Sequence, residues 1–488
     1  MKRARELKPI ELRWQCNPNL LKFRHLKDVE ACEWIIGQPR AIEAIKLGLR
    51  VRYPGYNIFI TGPVGTGRTT TITRLLEEFK VKSELKDLLY VNNFKNPDMP
   101  RLIELPAGKG RKFQVAMEKL IDGLKAHIPE IFQSEEYQTR RKKILDKYGQ
   151  RHQALLRNFE KEVEAQGFKL VQIQMGPFVR PAILPIIDGK PKNQEELEAL
   201  IKEGKLSQQD FEQIKKKIQD LETDMAKIYT QVREIQEAAN EELERLNEWM
   251  VKPVVAHLIG ELKKKFTDAK AHQYLDDVLE AILMNLTRFL KKDTKDEFRE
   301  FKVNVVVDNS ETKGAPVIFE TTPSYKNLFG TIERRPVGPG VYVSDFLNIK
   351  AGSLLRANGG YLVLNAFDAL IEPGVWQTLK RTLRNGLIDI QSFDPFYILT
   401  TTAMKPEPIT INVKVVMIGS QWLYYLLFYR DEDFKKIFKV KADFDTVMEN
   451  NTQNINQYAS FIKSLCERES LCHLTKSAIA DVIEYSVR

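Results

Sequence analysis

The sequence predicts an α/β domain, interrupted by a long α-helical coiled-coil insertion and followed by a mostly helical stretch. Three observations predict it. A glycine-rich loop, GPVGTGRTT at residues 62–70, joins an apolar stretch (YNIFITG, 56–62) to an amphipathic one (TTTITRLLEEF, 69–79), and a second apolar stretch (DLLYVNNF, 87–94) follows. Strand, glycine loop, helix, strand is the opening of an α/β nucleotide-binding domain. From about Phe113 to Lys292 helical periodicity and charge dominate, and in the best-defined piece, Phe211 to Ile235, apolar residues recur at alternating steps of three and four, the seam of a coiled coil. Strand signals return after Lys292.

At 488 residues the chain exceeds what one core organises. Composition divides it into a first α/β part (1–112), the insertion (113–300), a second α/β part (301–430) and a helical stretch (431–488). The net charge is +9, but Lys and Arg are interleaved with Glu and Asp, which argues against a nucleic-acid-binding face. The basic start, MKRARELKPIELRW, has no apolar run behind it. The longest apolar run, WLYYLLFY at 422–429, is too short to span a bilayer. Cys16, Cys32, Cys466 and Cys472 form no C-x-x-C and the histidines no H-E-x-x-H, the pattern of free thiols in a reducing cytoplasm without zinc.

Taken in order, the helix over 69–79 places Ile72, Leu75, Leu76 and Phe79 on one face. One arm of the insertion carries Leu145, Tyr148, His152, Leu155, Phe159 and Val163. The other carries Phe211, Ile214, Ile218, Leu221, Met225, Ile228, Val232 and Ile235. A Pro- and Gly-rich segment at 171–191 must turn the chain between them, giving an antiparallel hairpin with a small β-like tip. His152 reads as a packing residue of the seam, and the KKK runs at 215–217 and 263–265 as a solvated face. Strands are expected at 302–309, 315–320, from Tyr361, at 387–391 and at 412–420. A helix at 376–386 ends at Gly386, and from about Phe434 the chain is expected to be mostly helical.

The loop carries the chemistry. Gly62, Pro63, Val64, Gly65, Thr66, Gly67, Arg68, Thr69 and Thr70 have the spacing of a phosphate cradle, in which backbone N–H groups and the following helix dipole face an anion. Thr69 is placed to offer its hydroxyl to Mg²⁺ of a bound ATP or ADP. Where such loops carry Lys, this one carries Arg68, a planar fork that keeps the charge and fits the transferring phosphate less well.

Set in order, WIIGQPRAIEAIKLGLRV (34–51), the glycine loop, DNSETKGAPVIFETTPSYKNLFGTIE (308–333), IKAGSLLRANGGYLVLNAFDAL (349–370), TLKRTLRNGLIDIQ and VKVVMIGS resemble the Lon-like ATP-dependent proteases of the LonB and LonC type. The resemblance implies an AAA+ fold with a helical insertion and the start of a helical lid at 431–488. It also implies a ring, expected to be of six copies, that handles polypeptide substrates, and a Ser–Lys protease domain C-terminal to this chain. Against the family pattern, Asn365-Ala366 stands where Asp-Glu is expected to hold Mg²⁺ and orient the attacking water. Asn365 is the remaining candidate for the metal. Asp368 either substitutes in part or caps the next helix. Ser420 occupies the place of the γ-phosphate sensor, and Lys436, Lys439 and Lys441 lie where an arginine finger is expected. Phe329, Tyr342 and Phe346 are pore-loop candidates by the same resemblance, with ordinary packing as the alternative. Two readings follow: an ATPase module that unfolds, translocates or gates polypeptide, and a scaffold that binds nucleotide weakly or not at all and gates a peptidase without fuel.

Overall fold

The computed structural model describes residues 5–30, 32, 36–79, 84–175, 178–290, 298–338, 341–391 and 404–487. They form two compact units, Met1–Glu118 with Asp268–Ala271 and Phe298–Arg488, and Lys119–Thr267 with His272–Glu297.

The first unit is built on five strands: β1 (Ile58–Thr61), β2 (Val317–Glu320), β3 (Tyr361–Asn365), β4 (Lys414–Gly419) and β5 (Val440–Asp443). They are all parallel, in the spatial order β5-β1-β4-β3-β2. Ile58, Ile60, Val363 and Val416 share one core with α1 (Pro39–Arg50) and α2 (Arg68–Glu78). Phe59, Leu362, Leu364, Val415 and Met417 share the other with α3 (Ala366–Ile371), α4 (Val375–Asn385) and α5 (Gln421–Arg430). Alternate residues of a strand point to opposite faces, so a sheet covered on both sides reads as unbroken apolar runs.

β5 departs from the expectation of a helical stretch from Phe434. Val440, Ala442 and Phe444 are buried while Lys441 and Asp443 between them are only half-buried, the period of two that makes a strand. Apart from the single turn Phe434–Ile437, the helices begin later, at Thr452–Arg468 and Lys476–Val487. Their apolar face is covered by N-terminal residues Cys16, Leu21 and Leu26. Cys16 N–H donates to Glu484 at 2.9 Å.

A second sheet sets Lys86–Val91 between Arg101–Pro106 and Val303–Val307, all antiparallel. The buried Asp87 carboxylate accepts from the amides of Gly110 at 2.7 Å and Asn309 at 2.8 Å. One side chain thus fastens the start of the helix Gly110–Gln133 and the segment after Val303–Val307 to the same strand. A Cβ at Gly110 would lie 2.8 Å from the Asp87 Cβ, so the approach requires glycine there.

The second unit holds the hairpin. Glu135–Ala165 and the 58-residue helix Gln208–Lys265 begin at Ser134 and Ser207, whose hydroxyls cap them. Phe168–Met175 pairs antiparallel with Phe178–Ile187 as a β tip. Phe159, Val163 and Leu221 of the two arms close a core with Phe168 and Ile183 of the tip, flanked by Ile214, Ile218, Met225 and Ile228. His152 is half-buried on this seam. Among the described residues no helix is long and apolar enough to cross a membrane.

Two hydrogen bonds to a buried charge contribute about 1.5–3 kcal/mol each. Asp87→Ala is therefore expected to destabilise the first unit by roughly 3–5 kcal/mol, read as a lower urea midpoint; an unchanged midpoint would contradict this role.

Candidate functional site

Parallel strands leave a crevice beyond their carboxyl ends, where the following helices begin. Here that crevice is a cleft of about 820 Å³. Gly62, Pro63, Val64, Arg68 and Thr69 form one wall, and Glu320, Asn365, Phe367, Asp368, Ser420 and Trp422 stand on the others. The loop, Asn365, Asp368 and Ser420, far apart in sequence, are thus brought to one place. Gly65, Thr66, Gly67 and Thr70 complete the turn without lying on the cleft walls.

The loop is shaped by its own contacts. Gly65 and Gly67 have φ of 88° and 78°, the left-handed region that favours glycine. Thr66 Oγ1 donates to the Pro63 carbonyl at 2.8 Å and Thr71 Oγ1 to that of Gly67 at 2.9 Å. Gly67 is the N-cap of α2 and has no side chain with which to cap it. The first-turn amides of α2, from Arg68 to Thr70, have no earlier turn to accept from them. They are exposed donors at the positive end of a helix.

The other two helices that start at the cleft are capped. Asn365 Oδ1 accepts from Phe367 N–H at 2.8 Å and Asp368 N–H at 3.4 Å, closing the start of α3. Capping falls to Asn365 and not to Asp368. The oxygen that Asn365 would offer a cation is already committed, whereas the half-buried Asp368 keeps its carboxylate on the cleft wall. Ser420 Oγ accepts from Leu423 N–H at 3.2 Å and caps α5; its own hydroxyl proton remains to donate. Ala366 is fully buried in the core beneath the sheet, so a carboxylate at that position would be driven into apolar surroundings.

Arg68 Nη1 donates to the carbonyl of Gly419, the last residue of β4, at 2.6 Å. Burial pushes the guanidinium pKa down from its usual value. The cation of the loop is thereby tied across β1 to the neighbouring strand.

Sequence reasoning gave Glu320 no role. It ends β2, in register with Leu364 of β3, and its carboxylate accepts from Thr322 N–H at 2.9 Å and from the Ser353 hydroxyl. Only the parallel pairing of β2 with β3 brings it to the cleft; its one sequence signal was an acid ending an apolar strand. Lys439 lies 5.0 Å over the Tyr56 ring and Lys441 pairs with Asp443 at 2.7 Å. Lys436 is exposed at the end of a short helix, Phe434–Ile437. Phe329 and Phe346 are core residues, which removes them as loops that grip a chain; the side chain of Tyr342 lies outside the described residues.

Glycine loop, parallel sheet and helix starts define an AAA-type nucleotide-binding fold. A family model of a LonB-like AAA domain matches residues 313–445, and one of a Lon-like LonC helical domain matches residues 87–120. The Archaeal Lon protease of Archaeoglobus fulgidus is 33% identical over 103 residues, 20% of this chain and 16% of that protein. That of Methanothermobacter thermautotrophicus is 32% identical over 96 residues, 19% of this chain and 14% of that protein. The matches therefore span about a sixth of the length of these relatives (16% and 14%). Among solved structures, NtrX from Brucella abortus aligns at 14% identity and TM-score 0.24, over 35% of this chain and 40% of that one. Its complex with ADP aligns at 16% and 0.22, over 32% of each chain. By these matches the chain is similar to Lon-like AAA+ proteins.

Losing an N-cap side chain costs about 1 kcal/mol. Asn365→Ala is expected to lower the stability of the first unit by that order in chemical denaturation, while Asp368→Ala leaves it within about 0.5 kcal/mol. The reverse order would mean that Asp368 holds the helix start.

Proposed function

We propose that the chain is the nucleotide-binding AAA+ module of a Lon-like protease, holding ATP or ADP in the cleft. It works in a ring of six copies in the cytoplasm, feeding or gating polypeptide for a Ser–Lys peptidase domain. The observation that supports this reading best is the uncapped start of α2: of three helices that begin at the cleft, the one behind the glycine loop keeps its amides for an anion. The site also suits a nucleotide's Mg²⁺. The exposed Thr69 hydroxyl and the Asp368 carboxylate are the oxygen donors that would hold it, and the ion would neutralise phosphate charge there.

A specific set of contacts favours a slow gate, which shares with the second reading a peptidase gated without fuel but differs from it in that nucleotide is held and turned over slowly or not at all. Arg68 is engaged with the Gly419 carbonyl, Asn365 with a helix start, and Ala366 faces the core. The residue at the family's water-orienting position, Ala366, carries no polar group. Glu320 is the nearest substitute by register, and it is already held by Ser353 and Thr322.

Calorimetric titration separates the readings. ADP and ATP are expected to bind with Kd near or below about 100 μM, and Thr69→Ala to remove most of the Mg²⁺ dependence. Phosphate release is expected at well under the ~1 s⁻¹ floor of ordinary enzymes. Binding of neither nucleotide would overturn the module reading; release at ~1 s⁻¹ or faster would overturn the slow gate.

A further inference from the structure

At the opposite ends of the same strands, where β1, β3 and β4 begin, lies a second pocket of about 270 Å³. Arg52, Arg384 and Lys414 line it, and among the described residues no carboxylate does. Lys414 Nζ donates to the carbonyls of Val51 and Tyr56, the latter at 2.9 Å. An ammonium has three N–H groups, so one is left for the pocket. Burial pushes the Lys414 pKa down to about 8, and among the described residues no carboxylate offsets that burial. Arg52 is close enough to the buried Tyr361 phenol for its charge to oppose the rise that burial imposes there. Arg384 is shared with the half-buried Asp433, 3.7 Å away.

Three features oppose an anion, and none outweighs the cations: the carbonyl end of α4, Asp433 beside Arg384, and Glu84 and Glu104 in the adjoining pocket that Arg52 also lines, where Glu104 is paired with Lys86 at 2.7 Å. The carbonyl end of α4 meets the pocket at Asn385 and Gly386, but a helix end carries only about half a unit charge, and Gly386 N–H already occupies the Thr382 carbonyl. Asp433 offsets at most one of three positive charges. A pocket that gathers unit charges of one sign, with Asn412 and Tyr361 as further polar groups, is short of a counter-ion.

We propose that this pocket is a second anion site, separate from the cleft, that takes an oxyanion of the phosphate class between Arg52, Arg384 and Lys414. The site ties the loop 51–56 to the start of β4, so an occupant would brace the base of the sheet.

The probe is inorganic phosphate, and the readout is acylation of Lys414 by an amine-reactive ester at pH 8, followed by peptide mass spectrometry of the full chain. Phosphate at about 10 mM is expected to slow that labelling roughly fivefold, a Kd in the low millimolar range. Arg52→Ala with Arg384→Ala is expected to reduce the protection to less than about twofold, since each removes a charge-assisted contact and leaves the Lys414 tie in place. Arg68→Ala, in the nucleotide cleft, is expected to leave the protection intact. Absence of protection in the unmodified chain would overturn the proposal. So would protection that survives the double arginine variant, or protection lost with Arg68→Ala.

Discussion

The leading amides of α2 have no acceptor in their own helix and no side chain in front of them, because the residue that should cap the helix is Gly67. The rest of the site is arranged around that deficiency. Left-handed backbone at Gly65 and Gly67 turns the chain so that the helix starts at the crevice, and the threonines at 66 and 71 lock the turn with bonds to loop carbonyls. The sheet supplies the rest: parallel pairing of β1 with β4 and β4 with β3 brings three helix starts to one edge. In two of the three a side chain stands before the helix start, Asn365 accepting from the Phe367 and Asp368 amides and Ser420 from that of Leu423, whereas α2 has no side-chain cap at all.

In the reading developed here, the same geometry separates holding a phosphate from cleaving it. Holding needs amides, a positive end and a cation near the loop, all of which the residues offer. Cleaving needs a carboxylate aimed at the nucleophile and a cation free to follow the developing charge. Arg68 is anchored to a strand carbonyl, and position 366 is turned into the core, so the two groups that would respond to the transition state are both withheld. On that reading the site is better suited to holding a nucleotide than to turning it over quickly.

Much of this was legible in the sequence. The glycine loop announces its own backbone, because only glycine accepts the φ values it needs, and the seam of the hairpin follows from spacing alone: Leu221, Val232, Phe159 and Val163 are buried among exposed neighbours. What stayed hidden depended on pairing across long separations. β5 is four residues at the edge of the sheet, and its alternation of Val440, Lys441, Ala442 and Asp443 is too short to stand out beside helical neighbours. Glu320 reaches the cleft only through its register with β3. Phe329 and Phe346 look like exposed aromatics in a Gly- and Pro-rich stretch, yet both are drawn into the main core. The choice between Asn365 and Asp368 as helix cap rests on which side chain reaches back to the first amides, a matter of φ and ψ at one residue.

The most direct test is residue-specific: amide chemical shifts of the deuterated chain during titration with ADP. The account predicts that the largest displacements fall on Gly65, Gly67, Arg68 and Thr69, with small ones at Phe367, Asp368 and Leu423, whose amides already have acceptors. Displacements centred on α3 or α5, with the loop amides unmoved at saturation, would contradict it.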